Sequence, residues 1–255
     1  MNNENIRFAG STGEELAAIL NTPGSYDKLK GYCLFAHCFT CNKNLKMVTS
    51  ITKKLTDFGY GVFRFDFTGL GQSGGEFSET NFTTNTEDFL KAAEYLAENY
   101  QPACVTIGHS LGGAAVLNAS GRLDSVKAVV TIGAPSQPMH VMHLFEDYLD
   151  DLKTDNEEVT LKIAGRDITI KPQFVMDLES HNLDDEIQNL GKPLMIFHSP
   201  VDKIVGIDQA KKIYMNAKHP KSFISLDDAD HLLSKTVDAE FVASMLATWA
   251  DHQAG

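Results

Sequence analysis

Ser110 stands at the centre of Gly108-His109-Ser110-Leu111-Gly112-Gly113, with the apolar run ACVTI before it and the small-residue run GGAAVLNAS after it. A serine hydroxyl is a poor nucleophile until a base removes its proton. The G-x-S-x-G spacing puts such a serine on a strained strand-to-helix turn, and glycines two residues to either side let neighbouring backbone approach. The N–H of Leu111 opens the following helix, where unsatisfied donors and the helix dipole favour a developing negative charge.

A nucleophile at position 110 needs a histidine and a carboxylate. Sites of this strand–turn–helix type take them in the chain order Ser, Asp or Glu, His. Asp202 follows the apolar run PLMIFHS, and His231 follows SFISLDDAD. Both therefore project from the carboxyl ends of strands, the rim on which Ser110 also lies. His231 is assigned as general base and then general acid, and Asp202 as the carboxylate that fixes its tautomer. Asp227, Asp228 and Asp230 are too near His231 in sequence to orient its ring from behind, and read as structural. A second oxyanion donor is expected from the loop His37-Cys38-Phe39-Thr40; by position it is the Phe39 N–H, which leaves the phenyl ring free to line an acyl pocket.

Three other constellations compete for attention. Cys38 and Cys41 form a C-x-x-C, which could signal redox chemistry or metal binding. Neither a thioredoxin-like context nor a second ligand pair accompanies it, so packing around the oxyanion loop is the default reading. His140-x-x-His143 lacks a third ligand at suitable spacing and reads as surface or pocket lining. Asp66-x-x-Gly69-x-Gly71-x-Ser73 is neither a dinucleotide fingerprint nor a Walker motif, and reads as a tight turn beside the site.

The elements that must position these residues alternate. An opening hairpin (6–9 and 14–20) precedes the strand 31–37, a helix over 45–58 with Leu45, Val48, Ile51, Leu55 and Phe58 on one face, and the strand 61–67. A helix over 85–100, the strand and helix around Ser110 and a strand at 126–135 follow. After residue 190 come strands 193–199 and 222–230, with helices near 207–217 and 237–250. Strands apolar on both faces, alternating with helices, predict a mostly parallel sheet covered on each side. Residues 136–190 break the rhythm with an amphipathic helix (MHVMHLFEDYLDDL), a hairpin of EVTLKI and DITIK joined through Ala164-Gly165-Arg166, and a second helix, FVMDLESH. Residues 1–135 and 191–255 thus read as one core, and 136–190 as a lid inserted over the strand ends.

The 255 residues are 43% apolar, enough for one large core, and no linker divides them. A net charge of -12 argues against a nucleic-acid surface and against adsorption to anionic membranes. The opening MNNENIRFAG has neither a basic nor an apolar signal region, and no apolar run is long enough to span a membrane. The four cysteines do not resemble a secreted disulfide framework. The expectation is a cytoplasmic protein.

Together these residues resemble the α/β-hydrolase superfamily from about residue 31 onward. More narrowly, FAHCFTCNK, FRFDFTGLGQSGGEF, IGHSLGGAAVL, TIGAPSQP, PKSFISLDDADHLL and the AGRDITI hairpin look like the hydrolase half of bacterial proteins that fuse an α/β hydrolase to an OsmC-like peroxiredoxin domain. The chain ends at Gly255, after the last expected hydrolase helix, so the OsmC-like half is expected to be absent. The resemblance implies an α/β fold with an eight-stranded, mostly parallel sheet, no cofactor, and the roles already given to Ser110, Asp202, His231, Phe39 and Leu111. The lid is similar to that of cinnamoyl and feruloyl esterases. Cys38 departs from the His-Gly pair of many members, which bears on substrate size. The expected activity is that of a carboxylesterase for short-chain or small aryl esters. A thioesterase or peptidase with the same triad, and a non-catalytic partner of an OsmC-like peroxidase, are the alternatives. The expected partners are a small-molecule ester and, secondarily, a second copy of the chain or an OsmC-like protein.

Overall fold

The computed structural model describes residues 1–155, 158–163 and 166–254. The chain opens with β1 (Asn2–Ala9) and β2 (Glu15–Thr22), continues through β3 (Gly31–Ala36), α1 (Lys46–Asp57) and β4 (Tyr60–Phe65), and then α2 (Phe82–Asn99), β5 (Ala103–His109), α3 (Leu111–Ser120) and β6 (Ala128–Ile132). The hairpin β7 (Val159–Ile163) and β8 (Arg166–Ile170) and the helices α4 (Pro172–Ser180) and α5 (Asp184–Gln188) come next. β9 (Leu194–His198), α6 (Ile207–Asn216), β10 (Lys221–Ser225) and α7 (Thr236–Ala254) complete the chain.

Eight strands form one sheet in the order β1-β2-β4-β3-β5-β6-β9-β10. β1 and β2 join antiparallel, and every pair from β4 to β10 is parallel. Each residue of β3, β4, β6 and β9 is buried, as unbroken apolar runs require when helices cover both faces. β3 pairs with β4 on one side and with β5 on the other, and β3 and β5 lie at the centre of the sheet. Their carboxyl ends carry the residues singled out above.

Two apolar layers sandwich this sheet. On one side Val48, Ile51 and Leu55 of α1 meet Val242, Leu246 and Ala250 of α7, all fully buried; each such Val or Leu side chain contributes about 1.5–3 kcal/mol. The expected end positions of the α1 stripe, Leu45 and Phe58, pack at its margin. On the other side α2 and α3 cover the sheet and are themselves covered by the segment between β6 and β9. α3 is buried on every side except at Asn118, which is why its sequence is Gly, Ala, Val and Leu rather than amphipathic.

That intervening segment departs from a simple helix–hairpin–helix. Its first part is a 3₁₀ helix, Pro138–Tyr148, bent at Phe145 (φ −142, ψ 30), followed by a π turn at Asp151–Asp155. The amphipathic pattern had predicted one α-helix. The bend turns the Phe145 ring inward to lie 2% exposed against Phe174, and core packing at that ring outweighs regular hydrogen bonding. β7 and β8 pair antiparallel in the expected hairpin, with Ile163 opposite Arg166; the turn residues Ala164 and Gly165 lie outside the described residues. No helix among the described residues is long and apolar enough to cross a membrane.

Candidate active site

Ser110 lies between β5 and α3 with φ +53 and ψ −126, a left-handed conformation that costs a residue with a Cβ about 1–3 kcal/mol. The surroundings fix it. Its N–H donates to Ile132 O of the neighbouring strand at 3.0 Å, and its carbonyl accepts from Gly113 N–H at 2.8 Å. A Cβ on Gly112 would stand 2.2 Å from His37 O, and one on Gly108 2.4 Å from Gly112 O. The two glycines are thus required by backbone approaching backbone, as the motif spacing demanded.

His231 and Asp202, 29 residues apart, meet directly: Nδ1–H of His231 donates to Asp202 Oδ2 at 2.7 Å. The other carboxylate oxygen accepts from Ile204 N–H at 2.8 Å and Val205 N–H at 2.9 Å. Burial pushes the Asp202 pKa up, but the hydrogen bond and charge of His231 and those two amides outweigh it and leave the carboxyl below its ordinary value. An ionised carboxylate on Nδ1 leaves the Nε2 lone pair of a neutral imidazole free to take a proton. Asp230 instead accepts from Ser234 N–H at 2.8 Å, a structural use in keeping with its reading.

Two further histidines brace this pair, and the sequence analysis assigned neither. His109, fully buried, donates through Nε2–H to His231 O at 2.8 Å, with the two rings 4.9 Å apart. His198, equally buried, donates through Nε2–H to Val205 O at 2.7 Å and so closes the loop that carries Asp202. A carbonyl only accepts, so both rings carry the proton on Nε2. Burial above all lowers both pKa values, that of His109 to about 3 with the nearby His231 adding to the effect. Gly133, at φ +54, completes the cradle: a Cβ there would lie 3.3 Å from Asp202 Oδ2 and 3.4 Å from His231 Nδ1. The signal for His109 was its place inside the elbow, and for His198 its place at a strand end.

The loop after β3 is built on a buried polar frame. Asp66 accepts from Lys43 N–H at 2.6 Å, from Lys43 Nζ at 2.5 Å and from Gln72 N–H at 2.8 Å. Arg64 donates to Lys43 O at 2.5 Å and to Asn21 Oδ1 at 2.9 Å. The Asp66–Gly71 turn is therefore a support for residues 37–44 and not a phosphate loop. Within residues 37–44, Cys38 and Cys41 are joined by a disulfide. This corrects the reading of the pair as simple packing: the C-x-x-C brings its Cα atoms to 5.3 Å, within disulfide range. Between them Thr40 is held at φ +59, and the Phe39 ring lies 5.5 Å from Phe174 and 5.7 Å from Phe77.

Ser110, Leu111, His231, Phe39 and the disulfide all line one cavity of about 460 Å³, walled otherwise by mostly apolar side chains. His140 and His143 line its mouth with rings 4.8 Å apart; His140 Nε2 meets Ile204 O at 3.3 Å and His143 Nδ1 meets His140 O at 2.5 Å. They are pocket lining, as expected. Among the described residues no group of three or more His, Cys, Asp or Glu could hold a metal ion. A serine on a strained elbow, a histidine tied to a carboxylate and an apolar hollow can together carry acyl transfer.

Comparison with known proteins agrees with this chemistry. The profile of the serine aminopeptidase S33 family matches residues 27–147. The esterase domain of a Rhodothermus marinus protein is 46% identical over the whole of both chains, with a TM-score of 0.81. Est1E of Butyrivibrio proteoclasticus, solved with ferulic acid, is 20% identical over 97% of this chain and 98% of its own, also at a TM-score of 0.81, and speaks for the fold. The mitochondrial palmitoyl-protein thioesterase ABHD10 of Rattus norvegicus is 24% identical over 84% of this chain and 74% of its own. With the similarity to the Rhodothermus marinus esterase domain spanning both chains end to end, the chain belongs to the α/β-hydrolase superfamily and is one of its serine hydrolases.

Proposed function

We propose that this enzyme is a carboxylesterase for short-chain or small aryl esters, working through an acyl-enzyme on Ser110. One observation carries the reading: the 2.7 Å Asp202–His231 pair and the strained Ser110 open into the same apolar cavity. His231 takes the Ser110 proton as Oγ attacks the ester carbon, and Asp202 stabilises the imidazolium. The oxyanion is received by the N–H of Leu111, in the first turn of α3 where no helical acceptor exists, and by the N–H of Phe39. His231 then protonates the departing alcohol, and water activated by the same ring releases the acid. In this reading residues 136–190 act as a lid on a core of 1–135 and 191–255, and Val141, Leu144 and Ile163 from that lid supply apolar wall to the cavity. We further propose that the enzyme works in the cytoplasm.

A thioesterase uses the same machinery, and the likeness to ABHD10 favours it as a second reading. An aminopeptidase is less well supported: it must neutralise a substrate ammonium, and among the described residues lining the cavity there is no carboxylate. The test is a panel of p-nitrophenyl esters of graded acyl length, a hydroxycinnamate ester and the matching thioesters, run with the wild type and Ser110→Ala. We expect hydrolysis of short and aryl esters and its loss in the variant. Full activity in Ser110→Ala would overturn the mechanism. A preference of 100-fold or more for thioesters would select the second reading.

A further inference from the structure

We propose that the Cys38–Cys41 disulfide is a thiol–disulfide exchange site, entered at Cys41 by a small thiol or dithiol, whose opening switches off the oxyanion loop. Three observations converge on it. The disulfide lines the cavity that holds Ser110 and His231, so a small molecule that reaches the serine also reaches the sulfurs. Its two ends are unequally accessible: Cys38 is 4% exposed, whereas Cys41 is half-buried. And the bond closes a ring around the conformation the loop needs. Thr40, a β-branched residue, is held left-handed at φ +59 between the two sulfurs, where such a residue rarely sits.

The exchange balances with the thiol alone. A thiolate attacks Cys41 Sγ, the new S–S bond forms there, and Cys38 leaves as thiolate and takes a proton from solvent. A second thiolate attacks the outer sulfur of this mixed disulfide, which releases Cys41 and carries the external pair away as a disulfide. Two electrons and two protons enter the protein, and an external disulfide reverses the sequence. In the reduced loop the covalent closure is gone, and residues 38 and 41 keep the Cys41 N–H to Cys38 O bond at 3.1 Å, the contact of His37 Nδ1 with Cys38 O at 2.8 Å and the packing of Phe39. Thr40 then relaxes toward negative φ, and rotation at that residue re-aims the neighbouring Phe39 amide. Disulfides in reducing compartments are typically transient, catalytic or sensing, which suits a bond placed on such a loop. Cys33, fully buried, and Cys104, half-buried, are free thiols elsewhere in the sheet and serve as internal controls.

The consequence for activity rests on the acyl-transfer reading above; the exchange itself does not. The folded enzyme is incubated with dithiothreitol, alkylated and mapped by mass spectrometry. In parallel, amide hydrogen exchange at 38–41 and kcat/KM for p-nitrophenyl acetate are measured before reduction, after it, and after reoxidation with oxidised glutathione. We expect alkylation at Cys41 and Cys38 without unfolding, faster amide exchange confined to the loop, and a reversible fall of at least tenfold in kcat/KM, in line with the weight of one oxyanion donor. The double variant Cys38→Ser/Cys41→Ser, if it folds, is expected to match the reduced enzyme and to ignore dithiothreitol. Reduction that occurs only on denaturation overturns the exchange site. Reduction that leaves both the loop amides and kcat/KM unchanged overturns the switch. Should the oxidised enzyme show no activity and no fluorophosphonate label on Ser110, the acyl-transfer reading fails, while alkylation and amide exchange still decide this proposal.

Discussion

Replacing His109 by glutamine removes a titratable ring from beside His231 while keeping a donor for the His231 carbonyl. The wild-type ring is fully buried, and burial first, then the nearby His231, bring its pKa down to about 3. An unfolded histidine titrates near 6.5. Between these values the unfolded chain binds a proton that the fold refuses, so the contribution of a neutral His109 is complete above pH ~6.5 and is lost as pH falls toward 3. From pH 7 to pH 5 the linkage relation gives a loss of about 2 kcal/mol, and the whole gap of about 5 kcal/mol is reached only near pH 3.

The assay is urea unfolding of wild type and His109→Gln at pH 7 and at pH 5. We expect the wild type to lose about 2 kcal/mol more than the variant over this interval. His198 is also buried with its pKa lowered and titrates in the same direction, but it is present in both proteins and cancels in the difference. Equal losses in the two proteins would refute the claim that His109 is held neutral by burial beside the His231 loop. At pH 7 the variant should keep the fold, and its kcat should fall in proportion to how poorly glutamine seats the His231 backbone.

Asp202→Asn puts an amide where one oxygen serves two backbone N–H groups and the other serves His231; if the amide oxygen keeps the backbone, its NH₂ faces Nδ1 and selects the wrong tautomer. We expect kcat to fall by about 10⁴-fold, about 5 kcal/mol of barrier, with little change in melting temperature, and a fall under tenfold would argue against Asp202 as the orienting carboxylate. Gly112→Ala drives a Cβ to 2.2 Å from His37 O and 2.6 Å from Ala36 O, so the loop after β3, proposed to supply an oxyanion donor, must shift; a loss of about 1–3 kcal/mol in stability and at least 100-fold in kcat is expected from denaturation and ester kinetics. Phe174→Ala removes a 1%-exposed ring that touches Phe39, Phe77 and Phe145. It should cost about 3–5 kcal/mol, read by calorimetry as a fall of about 6–20 °C, with a raised KM because Phe39 loses its brace.

The parts of this molecule that were legible in its sequence are those in which a local constraint writes itself into neighbouring residues. The elbow is one: a Cβ at Gly108 or Gly112 would stand under 2.5 Å from neighbouring backbone atoms, which leaves no alternative to glycine at those positions, so the motif is a record of sterics. The buried strands are another, because a strand covered on both faces is apolar along most of its length. Asp202 and His231 followed from these, as the polar residues left at the ends of such strands. β1 shows where this reasoning thins. It starts at Asn2 rather than Ile6, since an exposed edge segment of Asn and Glu pairs through its backbone with Leu20–Thr22 and needs no apolar pattern to do so.

The features that escaped share a different property: each depends on a partner far along the chain. His109 meets a carbonyl 122 residues away, and Lys43 is fully buried only because Asp66 and Gln72 enclose its ammonium. A lysine or histidine in isolation carries no mark of such burial, since lysine is among the residues least often buried. The bend at Phe145 likewise follows from a ring 29 positions away, at Phe174. These long-range contacts converge on the two loops that hold His231 and Phe39, the places where placement within a fraction of an ångström decides rate. The sequence therefore pointed to the groups proposed to react, while the precision of their placement is a property of tertiary packing. It follows that substitutions in the supporting set (His109, His198, Lys43, Phe174) should lower kcat while leaving Ser110 in place and open to a fluorophosphonate, a dissociation that substitutions at Ser110 itself cannot produce.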